Sequence, residues 1–390
     1  MQKLKLRVLG TSTTLHPAVR KRAEEDLGIE IKFIVADGGS VQRRAVMEPE
    51  SFDVYDQWFE SVELVWPANA LRPIDTRELS YWDDVNELAK TGRFGTASSD
   101  SQGCPPNRHL YITKDGDFLD EPSQFLTMLP LTHNADSFAY VPDNFTGDNS
   151  AFQESWAWLV DDRWKGKVAL QNDAAIGAID AALAVQSAGF AQFKDLGNLS
   201  VPEIDRLVKI LIDRKQNGHF RGFWATYGES ARLMIEGGVK IQSFWSPAGA
   251  ALREAKINFR QATPKDGYRA WFGGIAFSRC LQGALLDAAY QYADWWLHGW
   301  PGAYVARQGY YISAPLRART FLSPGEWDYW YQGTPAPVDL PGPNGKPLIR
   351  KGEVRDGGSY QERMSRIAVW NSVMDEHNYL VRRWNEFLAA

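Results

Sequence analysis

Cysteine is scarce in these 390 residues: Cys104 and Cys280 are the only two. They lie too far apart for a CxxC motif and are too few for a metal cluster; whether they pair is left open by the sequence. No apolar run approaches the ~18 residues of a membrane-spanning helix. Positive charge is not in surplus: 43 Lys and Arg stand against 48 Asp and Glu, a formal charge of −5. A global field for nucleic acid or an anionic membrane is therefore missing. Also missing are HExxH, GxSxG, the phosphate-binding P-loop and GxGxxG. The six histidines, His16, His109, His133, His219, His298 and His377, show no metal-ligand spacing. No nucleophile stands beside a base. The expectation is a protein without catalysis, cofactor or metal.

Aromatic residues are abundant, with 16 Trp, 15 Tyr and 19 Phe. Most of the tryptophans should fill core and interfaces, although each buried indole N–H then needs a partner. Several are expected to line a ligand cleft, where flat faces grip rings, amines or sugars. A length of 390 residues makes two domains the default.

The chain opens with an alternating strand over Lys3–Val8. Pro17 starts a helix that runs to Leu27 and is stopped by Gly28, and a second strand spans 29–35. This βαβ unit predicts a parallel sheet. A helical stretch is expected over 41–47. Strands are expected over 126–130 and 137–141, on either side of a His133-Asn134-Ala135-Asp136 loop. Further strands fall at 168–170, 239–244 and 271–277. Helices fall at 174–188, at 284–297, and from the capping box of Ser200 and Glu203 to Asn217. A last amphipathic helix begins at Trp370, with His377 on its core face. Residues 92–124 read as loop, and the Pro- and Gly-rich stretch 333–358 as an irregular arm. Asn144-Phe145-Thr146 and Asn198-Leu199-Ser200 match the glycosylation sequon, a short and uninformative pattern.

Polar and aromatic clusters follow the expected strands: Thr11–Thr14, Gly38–Ser40, Asp56–Glu60, His133–Ser137, Asn172–Asp173, Tyr227–Glu229 and Phe244–Ser246. In parallel α/β sheets, ligands bind outside the carboxyl ends of strands. Two pockets fit these clusters. A cationic ligand would use Trp58, Phe59, Tyr227, Trp245 and Trp271 as a cage, with Asp56, Glu60, Asp136, Asp173 or Glu229 as counter-charge. An anionic ligand would use the helix N-termini after Gly39 and Ser40 and after Asp173. A zwitterion would use both.

The order of several segments resembles the periplasmic solute-binding proteins of ABC importers, in particular the spermidine/putrescine-binding branch. The segments are Phe52-Asp53-Val54-Tyr55-Asp56, Leu71 to Asp75, Ser155 to Leu159, Trp164 to Leu170, Ile235 to Val239, Phe244-Trp245, Pro264 to Gly267, Trp271 to Ala276 and Gly309-Tyr310-Tyr311-Ile312-Ser313. The resemblance implies an α/β, type II periplasmic-binding-protein fold. It has two lobes joined by crossing strands, a ligand cleft between them, and hinge closure on the solute. The lobes would be residues 1–136 with 272–317, and 137–271 with 318–390.

The resemblance also implies a monomer that delivers a small polar nitrogen-containing solute to a membrane permease in the periplasm, with no nucleic-acid partner. An anionic or polyol solute, or an enzyme with an unrecognised site, is the alternative. Matched residue by residue, it places Trp245 and Trp271 as stacking aromatics. Gly273 stands where the family carries an acid, Thr11, Ser12 and Thr13 fill the first loop, and Trp58, Phe59 and Glu60 fill the next. His133 replaces an aromatic, Asp173 keeps an acid, and Tyr310 lies in the closing segment.

Overall fold

The computed structural model describes residues 3–95, 101–142 and 153–390; the Asn144 sequon lies outside them. In chain order the principal elements begin with β1 (Lys5–Gly10), α1 (Pro17–Leu27), β2 (Glu30–Val35), α2 (Gly38–Met47) and β3 (Val54–Trp58). After them come β4 (Leu129–Tyr140), β5 (Val168–Gln171), α3 (Ile176–Ser187), α4 (Val201–Gln216), β6 (Phe220–Trp224), α5 (Tyr227–Ile235), β7 (Ile241–Phe244) and α6 (Ala248–Glu254). The chain closes with β8 (Tyr268–Ser278), α7 (Gly283–His298), β9 (Tyr311–Ile312), β10 (Ile367–Trp370) and α8 (His377–Ala389).

The chain divides into two compact units. The first comprises Met1–Ser99, Pro105–Asn134 and Trp271–Ser323; the second comprises Asp100–Cys104, Ala135–Ala270 and Pro324–Ala390. Strands β4 and β8 each run from one unit into the other along the chain.

In the first unit, β1 pairs in parallel with β2 and β3. The last part of β8 joins β3 antiparallel, with Gly273 opposite Trp58 and Ile275 opposite Asp56. The α1 crossover forms where the sequence punctuates it. Pro17 sits in the first turn, and Gly28 takes a left-handed φ of 69° at the end, a conformation that costs glycine little. Residues 92–124 are more structured than their turn signals imply. The short strands Tyr111–Ile112 and Phe118–Leu119 build a small antiparallel sheet with Ile74–Asp75 and Phe125–Leu126.

In the second unit, β5 pairs in parallel with β6 and β7, and β7 pairs antiparallel with β4. Alternation along β5 splits the core in two. Val168 and Leu170 pack with α3, α4 and α8 around Trp156 and Trp384. Ala169 packs the other way, with Trp224, Ala231, Met234, Ala248 and Leu252 of β6, α5 and α6. The arm over 333–358 contains a short hairpin, Leu340–Pro341 with Pro347–Ile349.

Two expectations are corrected. His133-Asn134-Ala135-Asp136 is no loop: it is the middle of β4, buried along its whole length. The polar run tolerates burial because its side chains find partners far away in sequence. His133 stacks on Phe272 with centroids 4.4 Å apart, and Asp136 pairs with Arg269 at 3.6 Å. The last helix starts at His377, not at Trp370, because Trp370 ends β10, a strand parallel to the start of β8. His377 is half-buried. The two cysteines form no disulfide; Cys104 is buried and Cys280 exposed.

Candidate functional site

The carboxyl ends of the parallel strands carry most of the residues singled out from sequence. In the first unit β1 ends at Gly10, and a turn over Thr11–Thr14 follows. Thr11 is buried, Ser12 exposed and Thr13 half-buried. The Thr13 amide donates to Thr11 Oγ1 at 3.4 Å. Thr14 Oγ1 donates to Asp56 Oδ1 at 2.7 Å, tying the turn to β3. A Cβ on Gly10 would lie 2.5 Å from the Asp56 carbonyl oxygen, so the close approach of β1 and β3 needs glycine there. Asp56 is buried, and burial pushes its carboxyl up to about 7, against the lowering effect of the Thr14 bond. Its Oδ2 and the Tyr292 hydroxyl on α7 are both buried without a hydrogen-bond partner among the described residues.

Next to Asp56, Gln57 uses both ends of its amide. Nε2 donates to the Gly38 carbonyl at 3.2 Å, and Oε1 accepts from the Trp58 amide at 3.0 Å. Trp58 is half-buried and lies over the start of α2, where a Cβ on Gly38 would come within 2.5 Å of its ring. Gly39 and Ser40 form the first turn of that helix. The Ser40 amide is already taken by Asp37 Oδ1 at 2.9 Å. Phe59 and Glu60 are buried just beyond β3. On β8, Trp271 is only 5% exposed and meets Tyr310 edge to face at 5.2 Å. Gly273 has no room for an acid unless Thr132 shifts, since its Cβ would lie 2.8 Å from Thr132 Oγ1. His133 is buried against Phe272 and opposite Tyr311; burial pushes its imidazole down to about 3 and keeps it neutral.

In the second unit, the acids expected as counter-charges already have partners. Asp173 Oδ1 accepts from the amides of Ala175 and Ile176 at 2.9 Å each, at the start of α3. Glu229 Oε2 accepts from the amides of Ala225 and Thr226, closing a capping box at the start of α5. Asp136 lies in a buried charge cluster. Arg269 reaches Asp180 at 2.7 Å, Asn371 at 3.0 Å and Asp136 at 3.6 Å. Burial pushes Asp180 up to about 6 even with Arg269 holding it down. The aromatics Tyr227 and Trp245 are both half-buried at strand ends, and Trp245 meets Trp224 edge to face at 5.2 Å.

The structure therefore gathers Thr11, Ser12, Thr13, Gly39, Ser40 and Trp58 at one set of strand ends, with Trp271, Gly273 and Tyr310 on or against the strand beside β3. Asp173, Tyr227, Glu229 and Trp245 lie at the strand ends of the second unit. Sequence reasoning missed Gln171 and Trp224, which end β5 and β6 and lie directly opposite each other in the sheet. A single amide closing a short apolar strand leaves no periodic signal.

Solved structures share this architecture from end to end. A spermidine/putrescine ABC transporter substrate-binding protein from Streptococcus pneumoniae is 14% identical, with 99% of this chain and 98% of that one covered at a TM-score of 0.62. A spermidine/putrescine ABC transporter protein from Listeria monocytogenes, so described with its function assigned provisionally, is 13% identical, with 98% of each chain covered at 0.64. A periplasmic binding protein from A. tumefaciens R10, in complex with agropinic acid, is 13% identical, with 100% of both chains covered at 0.59. No family model matches the chain, and no curated protein does. The fold is that of type II periplasmic binding proteins, an α/β architecture of two lobes.

Proposed function

We propose that this protein is the substrate-binding component of an ABC importer, capturing a small polar nitrogen-containing solute and handing it to a membrane permease. The carrying observation is likeness over essentially the full length of both chains to binding proteins of that kind. The named solutes of those proteins, spermidine/putrescine and agropinic acid, all contain nitrogen. Within this chain, support comes from the half-buried aromatics Trp58, Tyr227 and Trp245 at strand ends. In this reading strand-end residues contact the solute, binding is one-to-one without turnover, and the protein works in the periplasm as a monomer.

The test is a thermal-shift screen over amines, amino acids, opines, sugars and organic acids, followed by calorimetry on any hit. A true ligand at ~100 times its dissociation constant adds ~2.7 kcal/mol of stability. A stoichiometry near one with the solute recovered unchanged supports the reading. A product seen by mass spectrometry overturns it.

A further inference from the structure

Resting on the solute-binding reading, we infer that Gln171 and Trp224 form a specificity subsite for an uncharged hydrogen-bonding group of the solute, a carboxamide or a hydroxyl, and not for an ammonium or a carboxylate. Gln171 is 2% exposed, yet its Oε1 has no hydrogen-bond partner among the described residues. Directly opposite on β6, the Trp224 indole Nε1 is buried and equally without one. Gln171 lies two residues beyond Ala169, so it faces the same side of the sheet, the side of Trp224, α5 and α6.

Buried polar groups are nearly always bonded, and leaving one unbonded costs free energy of the order of a lost hydrogen bond. Two such groups side by side, one an acceptor and the other a donor, at the carboxyl ends of parallel strands, match a group that both donates and accepts. Trp245, edge-on to Trp224, and Tyr227, at the start of the helix after β6, supply apolar wall.

Charge decides against the ionic alternatives. Asp173 and Glu229 spend carboxylate oxygens on backbone amides, and Asp136 and Asp180 face Arg269. An ammonium at Gln171 would meet the amide oxygen but also the Trp224 N–H, a donor facing a donor. A carboxylate would leave the Gln171 oxygen facing negative charge.

Calorimetry on the full chain with four amines of the same carbon count tests this: 4-aminobutanamide, 4-amino-1-butanol, 4-aminobutyrate and putrescine. The amide and the alcohol, each charged only at the ammonium, should bind at least tenfold tighter than 4-aminobutyrate and putrescine, which are charged at both ends. Gln171→Leu should reduce that preference to within about threefold while leaving the melting temperature unchanged or raised, because it removes a buried amide oxygen that has no hydrogen-bond partner among the described residues. Trp224→Phe should do the same to the preference, and Gln171→Leu decides alone if Trp224→Phe does not fold. Putrescine or 4-aminobutyrate binding tightest, or a preference that survives Gln171→Leu, overturns the inference. A hit from the wider screen with affinity indifferent to Gln171→Leu also overturns it, and the binding reading then stands. If no solute in that screen binds, both fall.

Discussion

Two glutamines near the ends of parallel strands meet opposite fates. Gln57 of β3, in the first unit, has both ends of its amide bonded, to the Gly38 carbonyl and the Trp58 amide, and so fixes the start of α2 and the strand end together. Gln171 of β5, in the second unit, is just as buried, but its amide oxygen bonds to nothing among the described residues. Residue type and position in the strand do not separate a structural group from one open to a ligand. What separates them is whether the neighbouring backbone turns back to meet the side chain.

The largest test of this contrast compares the two tryptophans expected to stack on a ligand. Trp271 is nearly fully buried against Tyr310, so Trp271→Ala should open a cavity costing about 3–5 kcal/mol of stability. Trp245 is half-buried at a strand end, and Trp245→Ala should cost clearly less stability while weakening binding of a screened ligand by ~1–3 kcal/mol. Urea titrations and calorimetry on the same proteins read both quantities. Equal stability losses would erase the distinction.

Next comes Asp56, the acid held behind the first unit's turn. Its carboxyl keeps the proton in the fold up to about pH 7, whereas the unfolded chain releases it near the ordinary value of 3.8. The folded state therefore binds more protons between those values, and the contribution of Asp56 to stability falls as pH rises through that window. Asp56→Asn should match wild type near pH 4 and exceed it above pH 7, by an amount on the order of a few kcal/mol. Parallel difference curves across pH would show that the Thr14 bond and its surroundings already hold the ionised form.

The smallest effect is expected at Gln57. Gln57→Leu breaks two hydrogen bonds and strands their backbone partners, a loss of about 1–3 kcal/mol. Gln171→Leu is expected to lose nothing in the same urea titration, and a matching loss there would mean that the two amides do the same work.

The parts of the fold that were legible in sequence are those set by neighbours a few residues away. Pro17 and Gly28 bracket α1, and Ser200 with Glu203 opens α4. The polar run at His133–Asp136 misled because Phe272 and Arg269, which make its burial tolerable, lie more than a hundred residues further on. Asp173 and Glu229 looked like free acids, although the Thr226-to-Glu229 spacing is that of the capping box found at Ser200. Trp370 fell on a helical face by spacing, but the chain has Ala270 waiting as a strand partner. Gln171 and Trp224 could not be found by pattern, because what marks them is an absence of bonds that only coordinates reveal.

The pairing of Trp58 with Gly273 also sets a timetable for folding. Until residues near 278 emerge, β3 has β1 on one side and nothing on the other. At a synthesis rate of about 5–20 residues per second, that open edge would persist for roughly 10–45 s. Hairpins form in microseconds, so local structure in the first hundred residues is ready long before its sheet can close. A nascent chain in this condition offers a bare row of backbone donors and acceptors to any other strand it meets. In the finished fold that edge is filled by β8, so the sheet of the first unit is completed by a strand more than two hundred residues further along the chain.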